Sequence, residues 1–334
     1  MIRSSTTNPD VQLRFTDKEH FFHDLAQLLR SGIPLQRAIE HIGAGRDRAA
    51  NTSRVLSPLI SGGVASAFAA AGFATLDVEI LAAGEQSGRM EMACVRLSQY
   101  YGRLASVRRR ILTASAYPVF MFHMAAVLLL IPVAINNGGV AGYFKQLALV
   151  LCSTYALFFV GLLAAYLARR AIRTSAIAER AICRIPGLGG FFALGALSRF
   201  CLVLSLGIRS ADGVLASTLR AGRASQSAGL GAACSRVVPA IRAGSRFAEA
   251  IRQSKAFPPD LEQAFEVAEA SGRLDEETSR WADIYQDRFF NRIDALGVWI
   301  PRLLFVVIML IIGASIIFTY VRSYAMVFQL LDPE

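Results

Sequence analysis

Two glutamates stand in nearly the same setting. The segment Gly84-Glu85-Gln86-Ser87-Gly88-Arg89-Met90 is echoed by Ala268-Glu269-Ala270-Ser271-Gly272-Arg273-Leu274. A carboxylate beside a Ser-Gly pair has two uses. It can accept hydrogen bonds from backbone N–H groups of its own turn, with Gly88 and Gly272 supplying positive φ as helix stops. It can instead contact a partner protein. Arg89 and Arg273 follow the turns and are expected at the surface, either solvated or paired with a partner's acidic groups. Metal binding by Glu85 lacks support, because no neighbouring Asp/Glu set has ligand spacing. His123 is the ionisable residue well inside an apolar run, which makes it a functional candidate. No Asp, Glu or Lys in the other apolar runs completes a proton relay, so a neutral imidazole bonded to a neighbouring or partner helix is the better reading.

Catalytic patterns are missing. The lysines are Lys18, Lys145 and Lys255, and none follows a glycine, so there is no phosphate-binding G-x-x-x-x-G-K-[ST] loop. A G-x-S-x-G nucleophile turn is absent too. Cys94, Cys152, Cys183, Cys201 and Cys234 are odd in number and form no C-x-x-C pair, which argues against a disulfide framework or a zinc site. We expect no catalytic residue, no metal and no cofactor.

The elements that carry these residues are membrane-linked. Hydrophobic residues make up 54% of the 334 residues and charged ones 18%, with mean hydropathy +0.43, too apolar for an ordinary soluble chain. Net charge is +10 and the pI about 9.8. The basic residues cluster at the ends of apolar runs: Arg108, Arg109 and Arg110 before one, Arg169, Arg170 and Arg173 after another. That placement suits lipid headgroups and orientation signals, and no nucleic-acid-binding signature accompanies it.

Three runs reach the ~20 apolar residues that cross a bilayer. The expected spans are 113–135, 147–168 and 297–319, joined by a short outer link at 136–146. Arg302 sits near the entry of the third span, where it can snorkel. The positive-inside rule puts a flexible tail (1–17), the unit 18–112, a basic linker (169–190) and the unit 191–296 on the cytoplasmic side, with the tail 320–334 outside.

Each soluble unit reads as a small all-α bundle. Phe22, Leu25, Leu28 and Leu29 share one helical face; Gly32 stops that helix and Pro34 opens the next. Further helices are expected near 51–60, 63–70 and 75–83, with a long one running from Met90 towards the membrane. The second unit repeats this order. Leu206-Gly207-Ile208 is matched to Ser31-Gly32-Ile33, Gly244 with Phe247–Ala250 to Gly63 with Ser66–Phe68, and Glu269 to Glu85. A series of matches in order argues for internal duplication. The last helix of each unit is expected to continue into a span as a stiff rod.

These residues resemble the inner-membrane platform proteins of type IV pilus and type II secretion machines, the F-protein family. The resemblance rests on Leu28-Leu29-Arg30-Ser31-Gly32-Ile33-Pro34-Leu35, on the Gly84–Gly88 motif with its echo, on Ile185-Pro186-Gly187-Leu188-Gly189 and on the three-span plan, and it covers about 21–318. The short form is similar to platforms of type IVb or plasmid-borne thin pili. The resemblance implies a multi-pass protein of the bacterial inner membrane, N-terminus cytoplasmic. Its implied partners are a cytoplasmic assembly ATPase, pilin or pseudopilin, other inner-membrane assembly proteins, membrane lipids and further copies of itself. An oligomeric transporter or channel is the competing reading. It is disfavoured because the spans lack paired charges and broken helices. A membrane-bound enzyme is disfavoured by the missing catalytic constellation.

Overall fold

The computed structural model describes residues 13–44, 52–53, 56, 62–129, 139–175, 179, 181, 188–208 and 213–331. All regular structure among them is helical. The first half holds α1 (Phe15–Arg30), α2 (Leu35–Gly43), α3 (Val64–Ala70), α4 (Thr75–Gln86) and α5 (Met90–Leu129). Next come α6 (Gly139–Thr174), α7 (Leu188–Gly207), α8 (Gly213–Ala224) and α9 (Ala228–Arg242). The chain closes with α10 (Phe247–Ser254), α11 (Pro259–Ala270) and α12 (Leu274–Leu331). Of the helix expected near 51–60, Thr52, Ser53 and Leu56 are helical and buried; its other residues lie outside the described ones.

The chain divides into two compact units. One combines residues 1–106 with 168–292, the other 107–167 with 293–334. The first therefore holds both repeats. In its first repeat, α1 buries Phe21, Phe22, Leu25 and Ala26 along one face. Phe21 and Phe22 meet Phe68 of α3 and Phe73, and Phe22 stacks on Tyr101 of α5 at 6.1 Å between ring centroids. Each such ring, fully buried, contributes about 1.5–3 kcal/mol. The second repeat builds an equivalent core from Phe200 on Phe257 and Phe247 on Phe265. The first two helices of the second repeat, α7 and α8, pack on α4 of the first. Arg223 of α8 donates to Glu79 of α4, with Nε to Oε1 at 2.8 Å. Burial raises the Glu79 carboxyl, and the positive charges of Arg223 and Arg220 oppose that rise.

The repeat correspondence differs in two places from the matches made on sequence. Gly207, matched to Gly32, has a different setting: it is the last residue of α7, packed so tightly that a Cβ would stand 2.6 Å from Ser217 Oγ. Of the two, only Gly32 has a left-handed φ (+83°), while in the second repeat Gly213, at the start of α8, has +65°. Gly63 directly precedes α3, but Gly244 stands three residues before α10, so loop length shifts that match. The left-handed residue after α3 is Gly72 (φ +83°); after α10 it is Lys255 (φ +51°). A side chain in that region is strained where glycine is not. We expect Lys255→Gly to stabilise the protein by about 0.5–1 kcal/mol, read as a raised melting midpoint in detergent. An unchanged or lower midpoint would contradict it.

The second unit contains the apolar ends of α5 and α12 and most of α6. Among the described residues, four helices are long and apolar enough to cross a membrane. In three of them the most apolar window is 6%, 0% and 17% buried by protein, whereas in Gly189–Gly207 it is 61% buried. The last is α7, a core helix of the first unit, and the other three are the spans. The helices that carry them run past the expected spans. Residues 139–146, read as link, already belong to α6, and residues 169–174, read as linker, still do. Residues 320–331, read as tail, continue α12. The link residues 136–138 lie outside the described ones. Pro118 and Pro301 sit inside α5 and α12, as apolar spans tolerate.

Candidate functional site

The repeated motif ends α4 and α11 with one hydrogen-bond pattern. Arg89 N–H donates to Gly84 C=O at 2.8 Å, and Arg273 N–H to Ala268 C=O at 2.9 Å. Gly88 N–H donates to Glu85 C=O, and Gly272 N–H to Glu269 C=O, both at 3.3 Å. Gly88 (φ +67°) and Gly272 (φ +68°) take the left-handed conformation such a stop requires.

The glutamates do not serve their own turns. Glu85 Oε1 accepts from Val64 N–H at 3.2 Å, at the start of α3. Glu269 accepts from Phe247 N–H at 2.8 Å and Ala248 N–H at 2.9 Å, at the start of α10. Each carboxylate thus caps a helix about 21 residues upstream, satisfying free N–H groups and meeting the positive end of the helix dipole. The sequence showed the acceptor but not the donor, because nothing in the motif specifies which helix start folds back onto it.

Gly84 and its counterpart Ala268 differ for a packing reason. A Cβ on Gly84 would lie 2.6 Å from Ala93 Cβ, so α4 and α5 approach more closely than a side chain permits.

Arg89 and Arg273 are exposed. Arg89 lines a hollow of about 360 Å³ with Arg96, Arg280, Asp275 and Glu276. Arg273 lines another of about 480 Å³ with Asp260, Glu276 and Glu277. Both are open and of mixed charge, suited to a polar protein surface. Burial pushes the Cys94 and Cys234 thiols up to about 12, which leaves them without nucleophilic character at neutral pH.

A buried ionic cluster lies between α1, α4 and α5. Asp77 is fully buried. It accepts from Lys18 Nζ at 2.6 Å and from Tyr101 Oη at 2.5 Å. Lys18 Nζ also lies 4.7 Å from the Tyr101 ring centroid. Burial, joined by the Asp77 charge, pushes the Tyr101 hydroxyl above the usual phenol range, so it remains a donor. The second repeat has Leu261 where the first has Asp77.

Arginines of α5 meet aspartates of α12. In the first unit Arg96 pairs with Asp283 at 2.5 Å and Arg103 with Asp287 at 2.7 Å. In the second unit Arg110 pairs with Asp294 at 3.5 Å. Arg110, expected at lipid headgroups, therefore has a protein partner, while Arg108 and Arg109 are exposed. Arg170 is exposed, and Arg173 donates to Gln226 Oε1 at 2.6 Å. Arg169 belongs to α6. The pairs were legible as a pattern: Arg96, Arg103 and Arg110 recur every seven residues, as do Asp287 and Asp294.

His123 bridges two helices within the second unit. Its Nε2 lies 2.6 Å from Tyr155 Oη of α6 and its Nδ1 2.7 Å from Val119 O. The Val119 carbonyl can only accept, so Nδ1 carries a proton, and the Nε2–Tyr155 hydroxyl bond ties α5 to α6.

Two separate stretches, residues 21–135 and 200–321, match the family model "Type II secretion system (T2SS), protein F". The chain belongs to this protein F family. The paired match places one family unit in each repeat. A type 4 fimbrial assembly protein PilC of Pseudomonas putida is 26% identical over 94% of this chain and 84% of its own length. A type IV pilus assembly protein PilC of Pseudomonas aeruginosa is 23% identical over 93% and 88%. A type II secretion system protein F of Vibrio cholerae is 24% identical over 84% and 75%. Family membership and three long apolar helices with little protein cover indicate a multi-pass inner-membrane protein.

Proposed function

We propose that this protein F family member is a non-enzymatic platform that couples a cytoplasmic assembly ATPase to the assembly of a pilin or pseudopilin fibre. The observation that carries the reading is the family unit present twice, folded as one helical body in a chain that also supplies the spans. Relatives named for pilus assembly and for type II secretion support it. In this reading the helical body carrying both repeats lies in the cytoplasm with the N-terminus, and the basic residues at 108–110 and 169–173 favour that orientation. The mixed-charge hollows beside Arg89 and Arg273 are the surfaces offered to the ATPase. The last helix of each repeat, α5 with 40 residues and α12 with 58, continues towards a span. No covalent step is assigned to this chain.

Deleting the gene from a strain that assembles the fibre is the test. Surface fibres, or secretion of the cargo, are expected to disappear while pilin is still made and inserted in the membrane. Normal fibres and secretion in the deletion strain would overturn the proposal.

A further inference from the structure

Two of the three ion pairs between α5 and α12 join residues that are each other's counterparts in the repeat, while the third, Arg96 with Asp283, is offset by three residues. Arg103 and Asp287 are 184 residues apart, as are Arg110 and Asp294. The same interval separates Glu85 from Glu269 and Tyr101 from Tyr285. Counterpart residues touch only where two like elements face each other across a local two-fold relation, as in a symmetric dimer. Here the two like elements belong to one chain. At both positions the duplicated copies carry opposite charges. Neighbouring contacts agree with a close helix pair: Tyr100 meets Phe290 at 5.7 Å between centroids, and Arg103 lies 5.1 Å from the Phe290 centroid. In the second unit, Gly297 leaves room where a Cβ would meet Ile111 at 3.6 Å and Val107 at 3.8 Å.

We propose that this edge is a self-pairing surface converted to a one-to-one match: Arg103 and Arg110 fit α5 to the α12 of a second repeat and bar it from the α5 of another copy. A like pair of α5 helices would set Arg103 on Arg103 and Arg110 on Arg110. A like pair of α12 helices would set Asp287 on Asp287 and Asp294 on Asp294. Opposed like charges repel, and repulsion against the wrong partner yields specificity even where the correct pair adds little stability. Oligomers of this protein must then form through other surfaces.

Charge exchange in the full-length protein tests the match. Arg103→Asp/Arg110→Asp makes the edge all acidic, and Asp287→Arg/Asp294→Arg makes it all basic. Each is expected to speed limited proteolysis of the detergent-purified protein roughly fivefold. The four-site exchange is expected to return to within about twofold of the parent, because a reciprocal swap restores only interactions made between the exchanged groups. If a two-site variant fails to fold, recovery in the four-site protein carries the test. Additive damage in the four-site protein would show that the arginines serve lipid or another partner, and would overturn the proposal. A second measurement addresses the excluded pairing. Ser106→Cys, with Cys152 and Cys183 changed to serine, is expected to form no interchain disulfide on mild oxidation. A disulfide-linked dimer there would equally overturn it.

Discussion

Asp77→Ala is expected to destabilise the helical unit by about 3–5 kcal/mol, the range for removing one member of a buried ion pair. The carboxylate is fully buried and receives both the Lys18 ammonium and the Tyr101 hydroxyl. Truncation leaves the Lys18 charge, whose side chain is only 14% exposed, without its counterion. It also leaves the Tyr101 hydroxyl with no acceptor on Asp77, a loss of about 1–3 kcal/mol. Lys18 can bend part of its charge towards water, which sets the lower end of the range. The melting midpoint in detergent, or the rate of limited proteolysis, reads the effect; a change under 1 kcal/mol would contradict this account.

The second repeat supplies the control. Leu261, fully buried, occupies the position of Asp77, and Tyr285 keeps the place of Tyr101. Tyr285 Oη makes no hydrogen bond of normal length among the described residues, but burial and the nearby Asp260 carboxylate hold its hydroxyl above the usual phenol range, so the second repeat keeps an acid near this tyrosine while burying an apolar side chain at the Asp77 position. Lys18→Met combined with Asp77→Leu is therefore expected to recover most of the loss, since apolar replacement of a whole buried pair is commonly neutral or favourable. The cluster's contribution is then direction rather than net stability: it fixes α1 against α4 and α5 in one repeat only.

The cluster also marks the limit of reading the sequence. The helical fold, the duplication, the spans and the left-handed glycines at Gly88 and Gly272 follow from local patterns: apolar spacing, run length and a Gly after a polar helix end. Asp77 has an equally local pattern, an acid in the first turn of α4, which reads as an ordinary complement to the helix dipole. That it is buried depends on Lys18, 59 residues earlier, and Tyr101, 24 residues later, arriving at the same place. The α5–α12 pairs are intermediate. Their seven-residue spacing is visible in the chain, but opposite charges 184 residues apart gain meaning only once the two helices lie together. Likewise α6 outruns both its expected ends, because apolar composition defines what lipid covers and not where a helix stops.

Glu269→Ala is the second substitution expected to have a large effect, about 2–4 kcal/mol, from two charge-assisted bonds to the N–H groups of Phe247 and Ala248. Glu85→Ala is expected to lose less, about 1–2 kcal/mol, because one bond at 3.2 Å is involved and the side chain is more exposed. The order is the informative part. A purely partner-facing pair of glutamates would leave both melting midpoints unchanged while fibre assembly failed. A capping pair lowers the midpoints in the order given, and assembly falls in proportion to the folded fraction. Glutamine separates charge from geometry: Glu269→Gln keeps an acceptor of the same reach and is expected to retain roughly half the stabilisation, since a charged acceptor is about twice as strong as a neutral one. If Glu269→Gln and Glu269→Ala proved equally damaging to assembly with both proteins fully folded, the carboxylate would have to be acting on a partner and not on α10.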